Sequence, residues 1–329
     1  MSDTVPVAST RPHAKLNLFL ELIEKRADGF HEIDTVMIPI DLCDELSVWR
    51  IEDDAINLKV DWLPSKPIVA KRLGIELGSK KAAQLLQIPE SESNLVHRAL
   101  REFKNRFDLP GGFGCDLRKR IPAGAGMGGA SSDAASALLC AAKLCDIPQT
   151  SGKLFDIAAS IGSDVPFFLG AKGTSMQAAR ATGRGERINA IELGSELNFV
   201  LAYPNDSLST AKVYEGSKIV DQPTTAEAMV VALATPNVAA IRDQLLNRLS
   251  DPAKKILPRI DEILESMWHS GLQACQLTGS GSACFAIADS QPQAQQCFAR
   301  LQAMIEPGSF TAVAKSVSVP APVVIANRK

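Results

Sequence analysis

A glycine-rich segment directly before an alanine-rich helix pattern constrains this chain more than any other feature. Residues 122–133 read Pro-Ala-Gly-Ala-Gly-Met-Gly-Gly-Ala-Ser-Ser-Asp, with four glycines within six positions. Glycine leaves the backbone free to curl with its N–H groups pointing inward, and Ser131 and Ser132 lie where a helix begins. The first-turn N–H groups and the positive end of the helix dipole then face the same cavity. Such converging donors form a phosphate cradle, so the segment predicts a phosphorylated ligand.

Three kinds of nucleotide-binding loop could contain this segment. Gly124, Gly126 and Gly129 fit the spacing of a dinucleotide loop, with Asp146 near the distance of a ribose-binding acid. That loop should open a βαβ unit near a domain start, whereas a long stretch of chain precedes this one. The mononucleotide P-loop is disfavoured by Ala130, because lysine and then serine or threonine follow its last glycine. The third kind, a glycine loop followed by two serines at a helix start, is typical of a class of small-molecule kinases. A flexible linker is disfavoured, since linkers do not run straight into a buried helix.

Composition limits the kinds of partner. A chain of 329 residues is long enough for about two domains with separate hydrophobic cores. A net charge of −2 gives no broad basic surface, so we expect no nucleic-acid partner. No apolar run approaches the ~18–20 residues of a membrane span, and the N-terminus lacks a signal-peptide pattern. The seven cysteines include no C-x-x-C pair, which is typical of reduced thiols. We expect a cytoplasmic protein with a small-molecule partner and no membrane contact; its oligomeric state is not predicted.

Hydrophobic periodicity predicts alternating strands and helices in the first half of the chain. Asn94 or Ser93 is expected to cap a helix, and the apolar character of residues 134–144 on all sides predicts a buried helix. Residues 51–92 are the least readable stretch. The predicted elements of this half are strands at 15–20, 36–48 and 114–121 and helices at 80–86, 95–103, 134–144 and 154–161.

The pattern changes after about residue 176. Residues 224–227 read Thr-Thr-Ala-Glu, which predicts a capping box before a helix. The order α-β-β-α-β that follows suits a ferredoxin-like unit. The predicted elements are a strand at 197–202, a helix at 260–267, strands at 274–277 and 284–287, a helix from 292 and a final strand. We therefore expect two domains, 1–176 with the phosphate loop and 177–329 for the substrate.

Two charged residues are candidates for catalysis. Lys15 shares a strand face with Asn17, opposite a face of leucines, so its ammonium must reach either solvent or a negative partner. Asp164 lies beside a predicted core, although an Asx turn or a helix cap explains it equally well locally. A lysine and an aspartate brought together beside a phosphate cradle are equipped for phosphoryl transfer.

Several motifs together resemble the GHMP kinase superfamily. The motifs follow the family order over about residues 12 to 316. They are Ala14-Lys-Leu-Asn-Leu-Phe-Leu20, Arg26-Ala-Asp-Gly-Phe-His-Glu32, Ile121-Pro-Ala-Gly-Ala-Gly-Met-Gly-Gly-Ala-Ser-Ser132, Gly162-Ser-Asp-Val-Pro166 and Thr278-Gly-Ser-Gly281. The resemblance implies an α+β two-domain GHMP kinase fold, with an N-terminal β/α domain that carries the glycine-rich phosphate loop and a C-terminal ferredoxin-like α/β domain. The segment 26–32 points to the branch that phosphorylates a cytidine diphosphate sugar alcohol.

The resemblance also implies roles for individual residues. Asp164 matches the family's general base, and Lys15 matches its catalytic partner. Asn17 resembles the polar neighbour that orients this pair, and it is assigned to the substrate side. His31 resembles the residue that reads the cytosine edge and Phe30 the aromatic that stacks on the ring, with Thr210 and Tyr214 on the other side of the pocket. ATP and Mg²⁺ are the implied cofactors, and no metal ligand is assigned. The residues assigned to ATP are Pro122, Ala123, Gly124, Ala125, Gly126, Met127, Gly128, Gly129, Ala130, Ser131 and Ser132, with Asn94 as the candidate for adenine.

Three residues and one segment depart from the family pattern. Ala130 adds a methyl group near the phosphates, and Asp133 places a negative charge in the first helical turn, where it is expected to repel phosphate. Phe30 stands where tyrosine is common, so stacking is kept and a hydroxyl is lost. Residues 51–92 are longer than expected. Ala130 and Asp133 put nucleotide affinity in doubt.

Three other functions remain open from the sequence. Another GHMP kinase, of the homoserine or mevalonate type, is disfavoured by Phe30 and His31, because those substrates have no base to stack or read. A catalytically silent nucleotide-binding regulator is disfavoured by the retention of Lys15 and Asp164. A dinucleotide oxidoreductase comes last.

Overall fold

The computed structural model describes residues 4–328, which form three β-sheets with helices between and outside them. The strands are β1 (Val5–Thr10), β2 (His13–Lys25), β3 (His31–Cys43), β4 (Glu45–Ile51), β5 (Ile56–Trp62), β6 (Gly112–Lys119), β7 (Ala178–Gly183), β8 (Arg187–Ile191), β9 (Asn198–Tyr203), β10 (Leu246–Asn247), β11 (Gln276–Leu277), β12 (Cys284–Ala288), β13 (Phe310–Lys315) and β14 (Val324–Arg328). The helices are α1 (Lys66–Arg72), α2 (Lys80–Leu86), α3 (Leu95–Arg106), α4 (Gly129–Leu144), α5 (Gly152–Ile161), α6 (Val165–Phe168), α7 (Thr210–Glu215), α8 (Glu227–Leu233), α9 (Val238–Arg242), α10 (Ser250–Ile256), α11 (Arg259–His269) and α12 (Gln291–Met304). None of the helices in the described part is long and apolar enough to cross a membrane.

The three sheets pack through shared apolar clusters, and β2, β3, β9 and β12 are buried along most of their length. The first sheet has the order β14-β1-β4-β6-β5 and is covered by α3 and α4. The second has the order β10-β2-β3-β7-β8, and its leucine face shares an apolar core with the third sheet. The third, β11-β12-β9-β13, is antiparallel and carries α11 and α12 on its other face, as expected for a ferredoxin-like unit. The glycine loop joins β6 of the first sheet to α4, and the loop between β11 and β12 extends from the third sheet.

Most predicted elements are present, and local signals explain where they start. The strand predicted at 15–20 lies within the longer β2, and α2 has the predicted bounds. Asn94 caps α3, with its side-chain oxygen accepting a hydrogen bond from the N–H of Val96 at 2.9 Å. Helix α4 starts at Gly129, earlier than predicted. The prediction of a capping box at residues 224–227 is wrong, because α8 begins after Ala226 without a side-chain cap.

The segment 51–92 adds an edge strand to the first sheet and two short helices that pack around a small apolar cluster. It contains β5, α1 and α2, and α1 was not predicted. Its apolar cluster includes Trp62, whose indole N–H donates to the carbonyl of Leu86 at 2.8 Å. Helix α2 contacts the loop after β9, where the amide of Gln84 donates to Ser207 at 2.8 Å. Ser207 lies against Gly124, so this segment supports the glycine loop from outside.

Parts of the region 177–329, including β10, belong to sheets that are built mainly by earlier residues. The hairpin of β7 and β8 extends the second sheet by pairing with β3. Strand β14 pairs with β1 at the edge of the first sheet. The boundary between residues 176 and 177 stays a prediction, and both pairings cross it.

A buried charge cluster links the first sheet to α4. The ammonium of Lys119 contacts Asp44 and, at 2.5 Å, a carboxylate oxygen of Asp133. Asp44 also accepts the N–H groups of Arg120 and Ile121. Burial holds the pKa of Asp133 above its usual range, and the charge of Lys119 opposes that rise. Lys119 balances part of the negative charge of Asp133 and Asp44, and the raised pKa of Asp133 favours its uncharged form, so the expected repulsion of phosphate by Asp133 is weakened.

Replacement of this buried cation is expected to destabilise the fold. Lys119→Met leaves two buried carboxyls without a cation, which costs about 3–5 kcal/mol of unfolding free energy. The measurement is urea unfolding at neutral pH. The loss should shrink as the pH falls, because a carboxyl with a raised pKa takes up its proton first in the folded state.

The matched control is Lys59→Met. Lys59 pairs with Asp61 on the surface, so the same substitution should change the unfolding free energy by less than about 0.5 kcal/mol. Equal losses in the two variants would show that the cluster adds nothing beyond a surface pair.

Candidate active site

Strand β2 places a buried lysine at the centre of the site. Lys15 is 4% exposed, because Gly128 and Gly279 lie against its side chain. Its ammonium donates to the side-chain oxygen of Asn17 and, at 3.0 Å, to the carbonyl of Gly126. A carboxylate oxygen of Asp164 lies 3.5 Å away. The two residues proposed as a catalytic pair are therefore neighbours, and the idea of a solvent-reaching edge lysine is wrong.

Asp164 lies on the solvent side of the buried Lys15 ammonium. It directly precedes α6, but its side chain makes no capping hydrogen bond, so a cap does not account for it. Its side chain is 34% exposed and lines a cavity together with Lys15 and Asn17. The carboxylate is thus accessible to a ligand while a buried ammonium fixes it from below.

The glycine loop lines a second cavity of about 320 Å³. Gly124, Gly126 and Gly128 have φ values of +67°, +79° and +70°, a left-handed conformation that only glycine adopts without strain. Gly128 directly precedes α4, so the first N–H groups of this long helix lie at the loop. These features match the predicted phosphate cradle.

The predicted nucleotide residues are all at this cavity except one. Its walls include Pro122, Ala123, Gly124, Ala125, Gly126, Met127, Gly128, Gly129, Ala130, Ser131 and Asn94. Ser132 is 1% exposed and is not part of the wall; its N–H donates to the carbonyl of Gly128 at 2.9 Å. The amide of Asn94 donates to the carbonyl of Pro89 at 2.7 Å, so both ends of that side chain are engaged.

The larger cavity has a volume of about 750 Å³ and contains the predicted substrate residues. Asn17, Phe30, His31, Thr210 and Tyr214 all line it, together with Lys15 and Asp164. Gly126 and Gly128 belong to the walls of both cavities. The two cavities therefore meet at the glycine loop, beside Lys15.

Aromatic rings form the end of this cavity at the start of β3. The rings of His31 and Tyr214 lie 5.2 Å apart, and Phe30 is 52% exposed. Burial first, and then the charge of Lys25, lower the pKa of His31 below its usual value. Burial and the charge of Asp164 raise the pKa of Tyr214. At neutral pH the imidazole is neutral and the phenol keeps its proton, so both can read a polar ring edge.

A second glycine-containing loop, residues 278–282, closes the site from the third sheet. The hydroxyl of Thr278 accepts the N–H of Asn17 at 3.0 Å, and a Cβ at Gly126 would lie 2.4 Å from the carbonyl of Thr278. Asn247 holds this loop by donating to the carbonyls of Leu277 and Gly279, both at 2.8 Å.

Sequence reasoning missed two residues that shape the site. Asn247 lies in the two-residue strand β10, too short to give a periodic signal. Arg184 lines the larger cavity from the turn between β7 and β8, and its position between Gly183 and Gly185 was the available signal. Among residues 4–328, no group of three or more histidines, cysteines and acids could hold a metal ion.

The sequence of this chain matches those of known kinases. Residues 94–172 match the GHMP kinases N terminal domain, and residues 229–306 match the GHMP kinases C terminal domain. The 4-diphosphocytidyl-2-C-methyl-D-erythritol kinase of Rhodopirellula baltica is 44% identical over 97% of this chain and 98% of its own. The chain belongs to the 4-diphosphocytidyl-2-C-methyl-D-erythritol kinase family. A member of that family from Listeria innocua is 32% identical over 91% of this chain and 94% of its own.

Solved structures agree with membership of this kinase family. A crystal structure of 4-(cytidine 5'-diphospho)-2C-methyl-D-erythritol kinase superposes with a TM-score of 0.68 at 29% identity, covering 93% of this chain and 98% of that one. Homoserine kinase from Cytophaga hutchinsonii also reaches 0.68, at 14% identity, covering 99% and 98% of the two chains. The second likeness shows the fold alone. The expected GHMP kinase fold is confirmed.

The close approach of the two loops predicts a strong effect at Gly126. In Gly126→Ala the new methyl group meets the carbonyl of Thr278, so the phosphate loop must shift. We expect affinity for a non-hydrolysable ATP analogue to fall at least about 10-fold, roughly the value of one lost charge-assisted hydrogen bond. The measurement is isothermal titration calorimetry, with circular dichroism to confirm folding.

Gly78→Ala is the matched control. Gly78 also has a positive φ, +90°, but a methyl group there meets no atom within 4 Å. Gly78→Ala introduces the same kind of backbone strain as Gly126→Ala but no collision with another residue. Its affinity for the ATP analogue should therefore stay within twofold of that of the original protein. Similar affinity losses in both variants would mean that strain alone, rather than the loop contact, is responsible.

Proposed function

We propose that this chain transfers the γ-phosphoryl group of ATP to the 2-hydroxyl of 4-diphosphocytidyl-2-C-methyl-D-erythritol. One observation carries the assignment: Gly126 and Gly128 line both cavities, beside the Lys15–Asp164 pair. A donor phosphate on the loop and an acceptor hydroxyl near Asp164 then meet without a covalent enzyme intermediate. This reaction belongs to the non-mevalonate isoprenoid pathway, in which the family acts.

The phosphates of ATP would lie in the loop 124–131, at the start of α4. Backbone N–H groups and the helix dipole favour the negative charge there. Mg²⁺ would be held mainly by phosphate oxygens and water, with the Ser131 hydroxyl as the nearby side-chain oxygen, which fits its preference for few protein ligands. When bound, Mg²⁺ neutralises charge on the transferring group.

Asp164 would act as the general base. It takes the proton of the 2-hydroxyl as that oxygen forms a bond to the γ-phosphorus, and the bond to the bridging β–γ oxygen breaks to release ADP. Lys15, 3.5 Å from the carboxylate, holds Asp164 in place and stabilises negative charge on the transferring group. Asn17 fixes the ammonium of Lys15 through its side-chain oxygen.

The aromatic end would hold the cytosine. Phe30 offers an exposed ring face for stacking, and the neutral imidazole of His31 can donate and accept at the base edge. Tyr214 flanks His31, and Thr210 contacts Ser280 at 2.9 Å on the opposite wall. Homoserine and mevalonate have no ring to use these groups, and a silent regulator has no need of the Lys15–Asp164 pair.

The experiment that tests this function is ADP release in the presence of ATP, Mg²⁺ and a substrate panel. The panel contains 4-diphosphocytidyl-2-C-methyl-D-erythritol, homoserine, mevalonate and galactose. Turnover with the cytidine compound alone is expected. Turnover with another member, or ATP binding without any turnover, would replace the proposed substrate or point to a regulator.

Replacement of the base should stop the chemistry but not nucleotide binding. Asp164→Asn keeps the shape and removes the proton acceptor, so we expect kcat to fall about 10²–10⁴-fold. ATP affinity should change less than threefold. The control, Asp156→Asn, alters a surface aspartate that pairs with Arg106 and should keep full activity. Near-normal kcat in Asp164→Asn would remove Asp164 as the base.

His31→Ala should affect the cytidine substrate selectively. The KM of that substrate is expected to rise at least about 10-fold, from the loss of hydrogen bonds to the base edge, while the KM of ATP stays nearly constant. Because the pKa of His31 is lowered, the original protein should lose affinity for the cytidine substrate only at a pH below that at which an ordinary histidine takes up its proton. The control is His269→Ala, on the surface at the end of α11. Equal changes in both KM values would overturn the cytosine assignment.

A further inference from the structure

One cation of the substrate cavity has no role in the catalytic pair or at the base-reading end. Arg184 lies in the turn between β7 and β8, flanked by Gly183 at φ +77° and Gly185 at φ +118°. The turn is anchored to β3, because the N–H of Gly183 donates to a carboxylate oxygen of Glu32 at 3.0 Å. The position of Arg184 is therefore set by two sheet strands rather than by a loose loop.

Arg184 lies between the two ends of the cavity. On one side its guanidinium carbon is 5.2 Å from the centroid of the Phe30 ring, within the range of a cation–π contact. On the other side, a Cβ at the adjacent Gly185 would lie 3.8 Å from a carboxylate oxygen of Asp164. A ligand with its base on Phe30 and its hydroxyl at Asp164 must pass this turn.

The guanidinium of Arg184 is nearly free to bind a ligand. Its ion pair with Glu186 has the long distance of 4.0 Å, its charge also acts on Asp28, and within residues 4–328 no hydrogen bond engages the guanidinium. Lys15, by contrast, is already committed to Asp164, Asn17 and Gly126. Several N–H donors thus remain available at the cavity wall.

The chemistry of the proposed substrate supplies the matching group. A diphosphate joins the cytidine to the sugar alcohol and carries negative charge between the base and the reacting hydroxyl. A planar guanidinium binds phosphate oxygens through two parallel N–H bonds and can still stack on an aromatic ring. The other uncommitted cation of the cavity, Lys25, lies at the end of β2 and acts on His31.

We propose that Arg184 binds the diphosphate of the substrate and so selects cytidine diphosphate compounds over cytidine and its monophosphate esters. This inference rests on the proposed function. Arg184 also covers the ring of Phe30, and the binding of the diphosphate keeps the base stacked and the hydroxyl at Asp164.

The test compares ligands with and without a diphosphate. Calorimetry measures the binding of cytidine and cytidine 5′-diphosphate to the full-length protein, with the nucleotide site filled by a Mg²⁺-bound non-hydrolysable ATP analogue. In Arg184→Gln we expect affinity for the diphosphate to fall about 10- to 100-fold, the usual value of a lost charge-assisted pair. Cytidine affinity should stay within twofold. Arg184→Lys should recover part of the loss, since it keeps the charge but not the fork.

Arg187→Gln is the matched control, because Arg187 lies at the start of β8, pairs with Glu32 and is outside the cavity wall. It should leave both affinities unchanged. In turnover assays, Arg184→Gln should raise the KM of the cytidine substrate and leave the KM of ATP constant.

Three outcomes overturn the proposal. Unchanged diphosphate affinity in Arg184→Gln means that Arg184 does not contact this group. Equal losses for cytidine and its diphosphate mean that Arg184 only supports the Phe30 ring. If the original protein binds neither ligand, the proposed function fails, and the role of Arg184 fails with it.

Discussion

The buried ammonium of Lys15 is the interaction on which the site depends. A cation in a protein interior is costly unless its charge and its N–H groups are matched. Asn17, Gly126 and Asp164 meet this need from the same strand, the glycine loop and the start of α6. The same contacts that stabilise the charge therefore fix the phosphate loop and the carboxylate relative to each other.

The site also depends on close contact between the backbones of two loops. The glycine loop and the loop 278–282 press together so tightly that a methyl group on Gly126 would collide with Thr278. Asn247 holds the second loop from β10, which pairs with β2, the strand that carries Lys15. Both loops are thus tied to one strand, and the nucleotide cavity and the substrate cavity keep a common wall.

Charge is distributed differently in the two cavities. Near the nucleotide, Lys119 balances part of the charge of Asp133 inside the protein, and the phosphates meet backbone N–H groups and the helix dipole. Near the substrate, Arg184 remains exposed to the cavity, with the carboxylate of Glu186 4.0 Å away and that of Asp28 within electrostatic range. The first arrangement weakens a repulsion, and the second supplies an attraction for an anionic ligand.

Local sequence determined the elements that carry the site. The glycine spacing at 124–129 and the apolar helix after it, the alternation of residues 15–20 and the cap at Asn94 all follow from backbone freedom, periodicity and side-chain hydrogen bonds. Only the tertiary structure decided that Lys15 meets Asp164, that Ser132 is buried outside the cavity wall, that Lys119 pairs with Asp133, and that Asn247 and Arg184 reach the site. These contacts join residues far apart in the chain. They depend on how the three sheets pack, which no local pattern encodes.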